Sequence, residues 1–98
     1  MTFVAMFQGT AEAEHLSTVK ESVAILERES RDQPGTIRYE FYQSAEEPTI
    51  FLLFGIWETE ADWRAHIASE AHRQHVASLP AGAWKIRPAK SEWQALSD

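Results

Sequence analysis

At 98 residues, 44% hydrophobic and 24% charged, the chain has the size and composition of one globular domain, residues 1–98. Fifteen acidic against nine basic residues give a net charge of −6, which argues against nucleic acid, whose binding needs clustered Lys and Arg. Cysteine is absent, which excludes disulfides, thiolate metal sites and cysteine nucleophiles, and a domain this small is expected to hold one core with little room for a large pocket.

The N-terminus has no basic segment followed by a cleavable apolar stretch, and no apolar run approaches ~18 residues. The expectation is a cytoplasmic protein without a signal peptide or membrane span. Thr2 to Gln8 is β-prone, and Gly9 is expected to end that strand. From Ala11 the period changes: Leu16, Val19, Val23 and Leu26 form one helical stripe. Thr10 is the expected N-cap, and the helix runs to about Asp32, where Pro34-Gly35 turns the chain. Glu12, Glu14, Glu21, Glu27 and Glu29 read as its solvated face, with His15 also in solvent.

Thr36 to Ser44 alternates, with Ile37, Tyr39 and Phe41 on one face and Arg38, Glu40 and Tyr42 on the other. A hairpin-length connection, Ala45 to Pro48, leads to an unbroken apolar strand, Ile50 to Trp57. Ile50, Leu52, Phe54 and Ile56 lie on one face of it, and Phe51, Leu53 and Trp57 on the other with Gly55 between them. Both sets need cover, and a chain this short has helices for only one, so the second face is expected to meet another subunit. Thr59 with Asp62 reads as an N-cap, and Trp63, His66 and Ile67 share a helical face. Ser69 reads as a second cap that splits this helix. His72, His75, Val76 and Leu79 face together in the second piece, which Pro80 to Gly82 ends. Trp84, Ile86 and Trp93 belong to a last strand that Pro88 bends or places at an edge. The order predicts an α+β, ferredoxin-like βαββαβ fold: a four-stranded antiparallel sheet with the helices on one face.

No phosphate loop, dinucleotide fingerprint or Ser-His-Asp set is present. The histidines come closest to a constellation. His72 and His75 lie three apart and His66 can converge on the same cleft, but the neighbouring carboxylate, Glu70, projects to a different side from His72, so no metal is expected. They read either as ordinary surface or capping histidines or as pocket groups. His66, on the face of Trp63 and Ile67, is expected to point at the sheet, where burial lowers its pKa and keeps it a neutral base near pH 7. Trp57 is either core or the wall of a site for an aromatic ring, and Tyr39 and Tyr42 point to opposite sides, so at most one faces any cleft.

Pro34-Gly35, Tyr39-Glu40-Phe41-Tyr42-Gln43, Pro48, Trp57, and His66, Ser69 and His72 in that order resemble the antibiotic biosynthesis monooxygenase family across residues 2–95. The resemblance implies a dimeric α+β barrel, two ferredoxin-like subunits packed sheet to sheet. It further implies a monooxygenase of phenolic polyketides or quinols that uses O2 with no flavin, haem or metal, the deprotonated substrate itself reducing oxygen. His66 and His72 then become the catalytic residues. Trp57, Trp63, Tyr39 and Phe7 become the expected substrate-binding residues. Two departures stand out. Gly55 replaces the Glu often found two positions before Trp57, which is expected to open the pocket or mark a different role. Phe7 and His66 stand near the Asn and Trp positions of a haem-degrading branch, which disfavours haem. The competing class is a non-catalytic dimer that binds a small aromatic or reactive metabolite.

Overall fold

The computed structural model describes residues 2–97. Strand β1 (Phe3–Ala11) leads through a 3-10 turn (Ala13–His15) into helix α1 (Leu16–Arg31). Strands β2 (Thr36–Gln43) and β3 (Ile50–Trp57) form a hairpin, followed by α2 (Glu60–Ile67), α3 (Glu70–Ser78) and β4 (Trp84–Gln94). The sheet has four antiparallel strands in the order β2-β3-β1-β4. This is the expected ferredoxin-like arrangement, with the second helix divided. No helix of the described residues is long and apolar enough to cross a membrane.

The divided helix follows from its two caps. Thr59 accepts from the Asp62 amide, and the Asp62 carboxylate accepts in return from the Thr59 hydroxyl. Ser69 accepts from the His72 amide and donates to the His66 carbonyl, so one side chain closes α2 and opens α3.

The first loop departs from expectation. Gly9 does not end β1, Thr10 caps no helix, and α1 begins at Leu16 rather than Ala11. Gly9 to Ala11 stay in the sheet because β3 pairs with Gly9 and Thr10, and β4 with Thr10 and Ala11. Gly9 has another task. Gln8 pairs with Ala89 and Thr10 with Ile86, so Arg87 and Pro88 stand against the single residue Gly9. This is a β-bulge in the edge strand, at the one proline of β4. A Cβ on Gly9 would lie 2.9 Å from Pro88 Cγ, so only glycine admits the bulge.

Two more expectations change. Ile37 is 50% exposed rather than inward, because the β2–β3 register slips between Thr36 and Arg38. Glu27 is not simply solvated: its carboxylate accepts from the Phe41 amide at 2.8 Å, and Arg31 Nε donates to the Tyr39 carbonyl at 3.1 Å. Helix α1 thereby satisfies backbone groups that the edge strand β2 leaves unpaired.

The helices cover the Phe51, Leu53, Trp57 side of β3, all three residues being buried. Two hydrophobic clusters form there. One joins Phe3, Leu26, Tyr39, Leu53, Trp57 and Trp63; the other joins Ala11, Val19, Val23, Phe51 and Ala83. On the opposite face Ile50, Leu52, Phe54 and Ile56 are half-buried without any helix above them.

Gly55 is explained by its neighbour two residues on. Trp57 folds its indole back over the glycine, and a Cβ at position 55 would meet its ring at 2.5 Å. The volume expected to open as a pocket is therefore filled by tryptophan. Since Trp57 is 1% exposed and held against Tyr39 and His66, it has nowhere to yield. Gly55→Ala is expected to destabilise the fold by about 1–3 kcal/mol through overpacking. Paired thermal and denaturant unfolding checks this; an unchanged midpoint contradicts it.

Candidate functional site

Between the two clusters lies a cavity of about 650 Å³, within the range used for small-molecule sites and larger than the chain length led one to expect. Space remains because α3 is short and ends at Ser78, while the chain continues around Pro80 to Ala83 before entering β4. Phe7, Phe41, Phe51, Leu53 and Trp84 give the cavity an aromatic, apolar lining. Its polar groups are His72 and His75 from α3 and Arg87 and Lys90 from β4.

The structure brings only two of the expected site residues, His72 and Phe7, to this cavity. Trp57, Trp63 and Tyr39 lie in the core at 1%, 4% and 1% exposure and do not line it. Trp63 packs on Phe3 with ring centroids 4.8 Å apart. Burial pushes the Tyr39 hydroxyl pKa well up, so it stays a neutral phenol. Trp57 Nε1 is buried without a hydrogen-bond partner, a net cost of about 1–3 kcal/mol that its apolar contacts must offset.

His66 points at the sheet as expected, but it stands behind the cavity. It is 3% exposed, packed between Tyr39 (4.8 Å) and Trp57 (5.3 Å). Its Nδ1 lies 2.9 Å from Gln33 Oε1, and since an amide oxygen only accepts, Nδ1 carries the proton. Its ring meets the edge of His72 at 5.5 Å, and His72 lies 6.5 Å from His75, so three imidazoles lead from the core to the cavity. Burial, and secondarily the charge of His72, lowers the His66 pKa to about 4. Burial followed by Lys90 lowers that of His72. All remain neutral near pH 7.

His75 is the best-oriented of the three. Ser78 Oγ donates to the His75 carbonyl at 2.8 Å, which leaves it free to accept from Ser22 Oγ, also at 2.8 Å. The single Ser22 proton being spent there, His75 Nδ1–H must donate to Ser22 Oγ at 2.7 Å. The neutral ring then carries its lone pair on Nε2. Burial, with His72 next, lowers the His75 pKa to about 4 despite an opposing interaction with the Ser22 backbone. The sequence carried one signal for this relay: Ser22 is a polar residue buried in α1 beside the apolar stripe of Val19, Val23 and Leu26. Among the described residues no group of three His, Asp or Glu side chains stands together as a metal site.

The family model for antibiotic biosynthesis monooxygenases matches residues 2–78. The chain belongs to that family. The match stops before β4, so Arg87, Pro88 and Lys90 lie outside it. Solved structures give the same fold. A protein from Nitrosomonas europaea assigned to this family has a TM-score of 0.90 at 21% identity, covering 98% of this chain and 91% of its own. A Mycobacterium tuberculosis protein gives 0.90 at 14% identity, covering 100% and 98%. A Deinococcus radiodurans protein assigned to the family gives 0.88 at 17% identity, covering 98% and 94%. No curated protein sequence matches the chain significantly.

The depressed histidines set a pH dependence. Folded His66 takes its proton near pH 4, whereas an unfolded imidazole takes it near 6.5. Between those values the unfolded state binds more protons. The stability contributed by neutral His66 is therefore full above pH 6.5 and lost as pH falls toward 4. Unfolding midpoints are expected to drop across that window, and to drop less steeply in His66→Gln. Parallel profiles for the two proteins refute the assignment.

Proposed function

We propose that the chain is a cofactor-independent monooxygenase that joins O2 to an aromatic quinol or phenolic, polyketide-like substrate, and that it works as a homodimer. The observation that carries this reading is the aromatic-lined cavity with two neutral imidazoles on its wall. Membership in the family supports monooxygenase chemistry. A flat phenol fits between Phe7, Phe51 and Trp84, and His75 Nε2 accepts its hydroxyl proton with His72 alongside. The resulting anion is electron-rich and gives an electron to O2; recombination forms a carbon–oxygen bond as a hydroperoxide. The peroxide takes back the proton held on His75; loss of the C–H proton at the oxygenated carbon then cleaves the O–O bond, leaving one oxygen as a carbonyl on the ring and releasing the other, with that proton, as water. The substrate supplies all four electrons. In this reading His66 positions His72 from behind and is not itself the base.

The dimer reading rests on the open face of the sheet. Val4, Met6, Leu52, Phe54 and Ile56 form a continuous apolar area there, with Trp93 57% exposed beside Val4. Fully burying an exposed side chain of this size is worth roughly 1.5–3 kcal/mol, and covering these half-buried ones gains a fraction of that each. Wild-type protein is expected to sediment as a dimer at micromolar concentration and Phe54→Asp as a monomer; a monomeric wild type defeats the idea.

Activity is tested by oxygen uptake from chelator-treated protein over dihydroxynaphthalenes, quinols and anthrones. One O2 per substrate without free peroxide is expected, unchanged by chelation. His75→Ala is expected to lower kcat/KM by about 10²-fold or more, the usual worth of a general base. Uptake that disappears on chelation or needs added flavin overturns the cofactor-independent reading. A His75→Ala rate above half of wild type across pH 6–8 overturns the assignment of the base.

A further inference from the structure

The cavity is sorted by charge in a way its surroundings are not. The chain carries fifteen Asp and Glu residues against nine Lys and Arg. Among the described residues no carboxylate lines the cavity, whereas Arg87 and Lys90 both do. Residues three apart on a regular strand point to opposite faces. Arg87 and Lys90 share the cavity because the bulge at Pro88 opposes two residues of β4 to Gly9 alone, which re-aims one side chain. Among the described residues Arg31, Arg38, Arg64 and Arg73 each pair with a glutamate, whereas Arg28 and Arg87 make no hydrogen bond or ion pair, and of those two Arg87 lines the cavity. Lys90 lies 4.6 Å over the Trp63 ring and pairs with Glu92 at 3.7 Å. Arg87 therefore lines a largely apolar space with the donors of its guanidinium unspent.

We infer that the substrate is an aromatic acid: a planar phenol bearing a carboxylate, whose ring occupies the apolar part of the cavity and whose carboxylate is held by Arg87, with Lys90 as the second cation. A guanidinium offers a carboxylate two parallel donors, which fixes orientation as well as charge. That orientation would turn the hydroxyl of the ring toward the histidines of α3. The same positive charge favours the phenolate formed when the proton leaves. This inference rests on the proposed function for its phenol, while the carboxylate preference concerns binding alone.

The test uses two ligands of the same shape, 3-hydroxy-2-naphthoate and 3-hydroxy-2-naphthamide, titrated against wild type, Arg87→Gln and Lys90→Gln under anaerobic conditions. Binding is read by calorimetry and by quenching of tryptophan fluorescence, with circular dichroism to confirm that the exposed substitutions leave the fold intact. Wild type is expected to prefer the carboxylate by about tenfold or more, as charge-assisted pairs allow, and less so at high salt. Arg87→Gln is expected to reduce that preference to within about threefold, with a smaller loss in Lys90→Gln. Equal binding of the two ligands by wild type, binding of neither, or a preference that survives in Arg87→Gln overturns the inference. Because no oxygen is present, carboxylate preference without later oxygen uptake defeats the monooxygenase reading alone. Uptake with neutral phenols and no carboxylate preference defeats the aromatic-acid inference alone.

Discussion

The placement of Trp57 governs the rest of the helix-covered face. Its indole folds over Gly55 and packs against Tyr39 from β2 and His66 from α2, so one side chain ties three elements together. This fills one end of the space between sheet and helices. The other end is filled by Phe51, Val19 and Val23. Phe41 packs against both clusters and, with residues of each, lines the cavity that remains. An interior packed to normal density leaves few voids, so a space of this size persists only where its walls are held apart by other contacts.

Three devices hold those walls. Ser69 ends α2 and begins α3, changing the direction of the chain so that His72 and His75 reach the cavity while His66 stays behind. The relay from Ser22 through Ser78 docks α3 on α1 and fixes one His75 tautomer. The Gly9–Pro88 bulge shapes the opposite wall. Each device uses hydrogen bonds or backbone geometry rather than hydrophobic area, which leaves the apolar surface facing the cavity free for a ligand. Neutral histidines and the unpaired Arg87 on such a surface act strongly, because a partly dry site screens charge less than water does.

The two faces of β3 divide the protein's tasks. The odd-numbered residues build the core and the cavity; the even-numbered set leaves an apolar sheet surface that the chain's own helices do not reach. Since side chains alternate strictly along a strand, no one-residue slip would preserve either arrangement.

Much of this was legible from periodicity. Alternation in β2, the unbroken apolar run of β3, the helical stripe of α1 and the caps at Thr59 and Ser69 are local signals, and local signals suffice to name elements and their order. The inward turn of His66 followed from its spacing to Trp63 and Ile67. The sequence by itself therefore determined the fold class, the two-sided strand and the region where histidines gather. It misread Gly9 and Thr10, whose strand conformation is imposed by pairing with β3 and β4, and Glu27, whose partner amide lies fourteen residues away. Only the tertiary structure decided which aromatics are core and which line the cavity. Phe7 and Trp57 are equally apolar as text, but depth depends on what packs above them. Only the tertiary structure, too, joined Ser22 to His75 and set Arg87 beside Lys90, because those juxtapositions depend on a helix crossing and a bulge, and neither leaves a periodic trace in the chain.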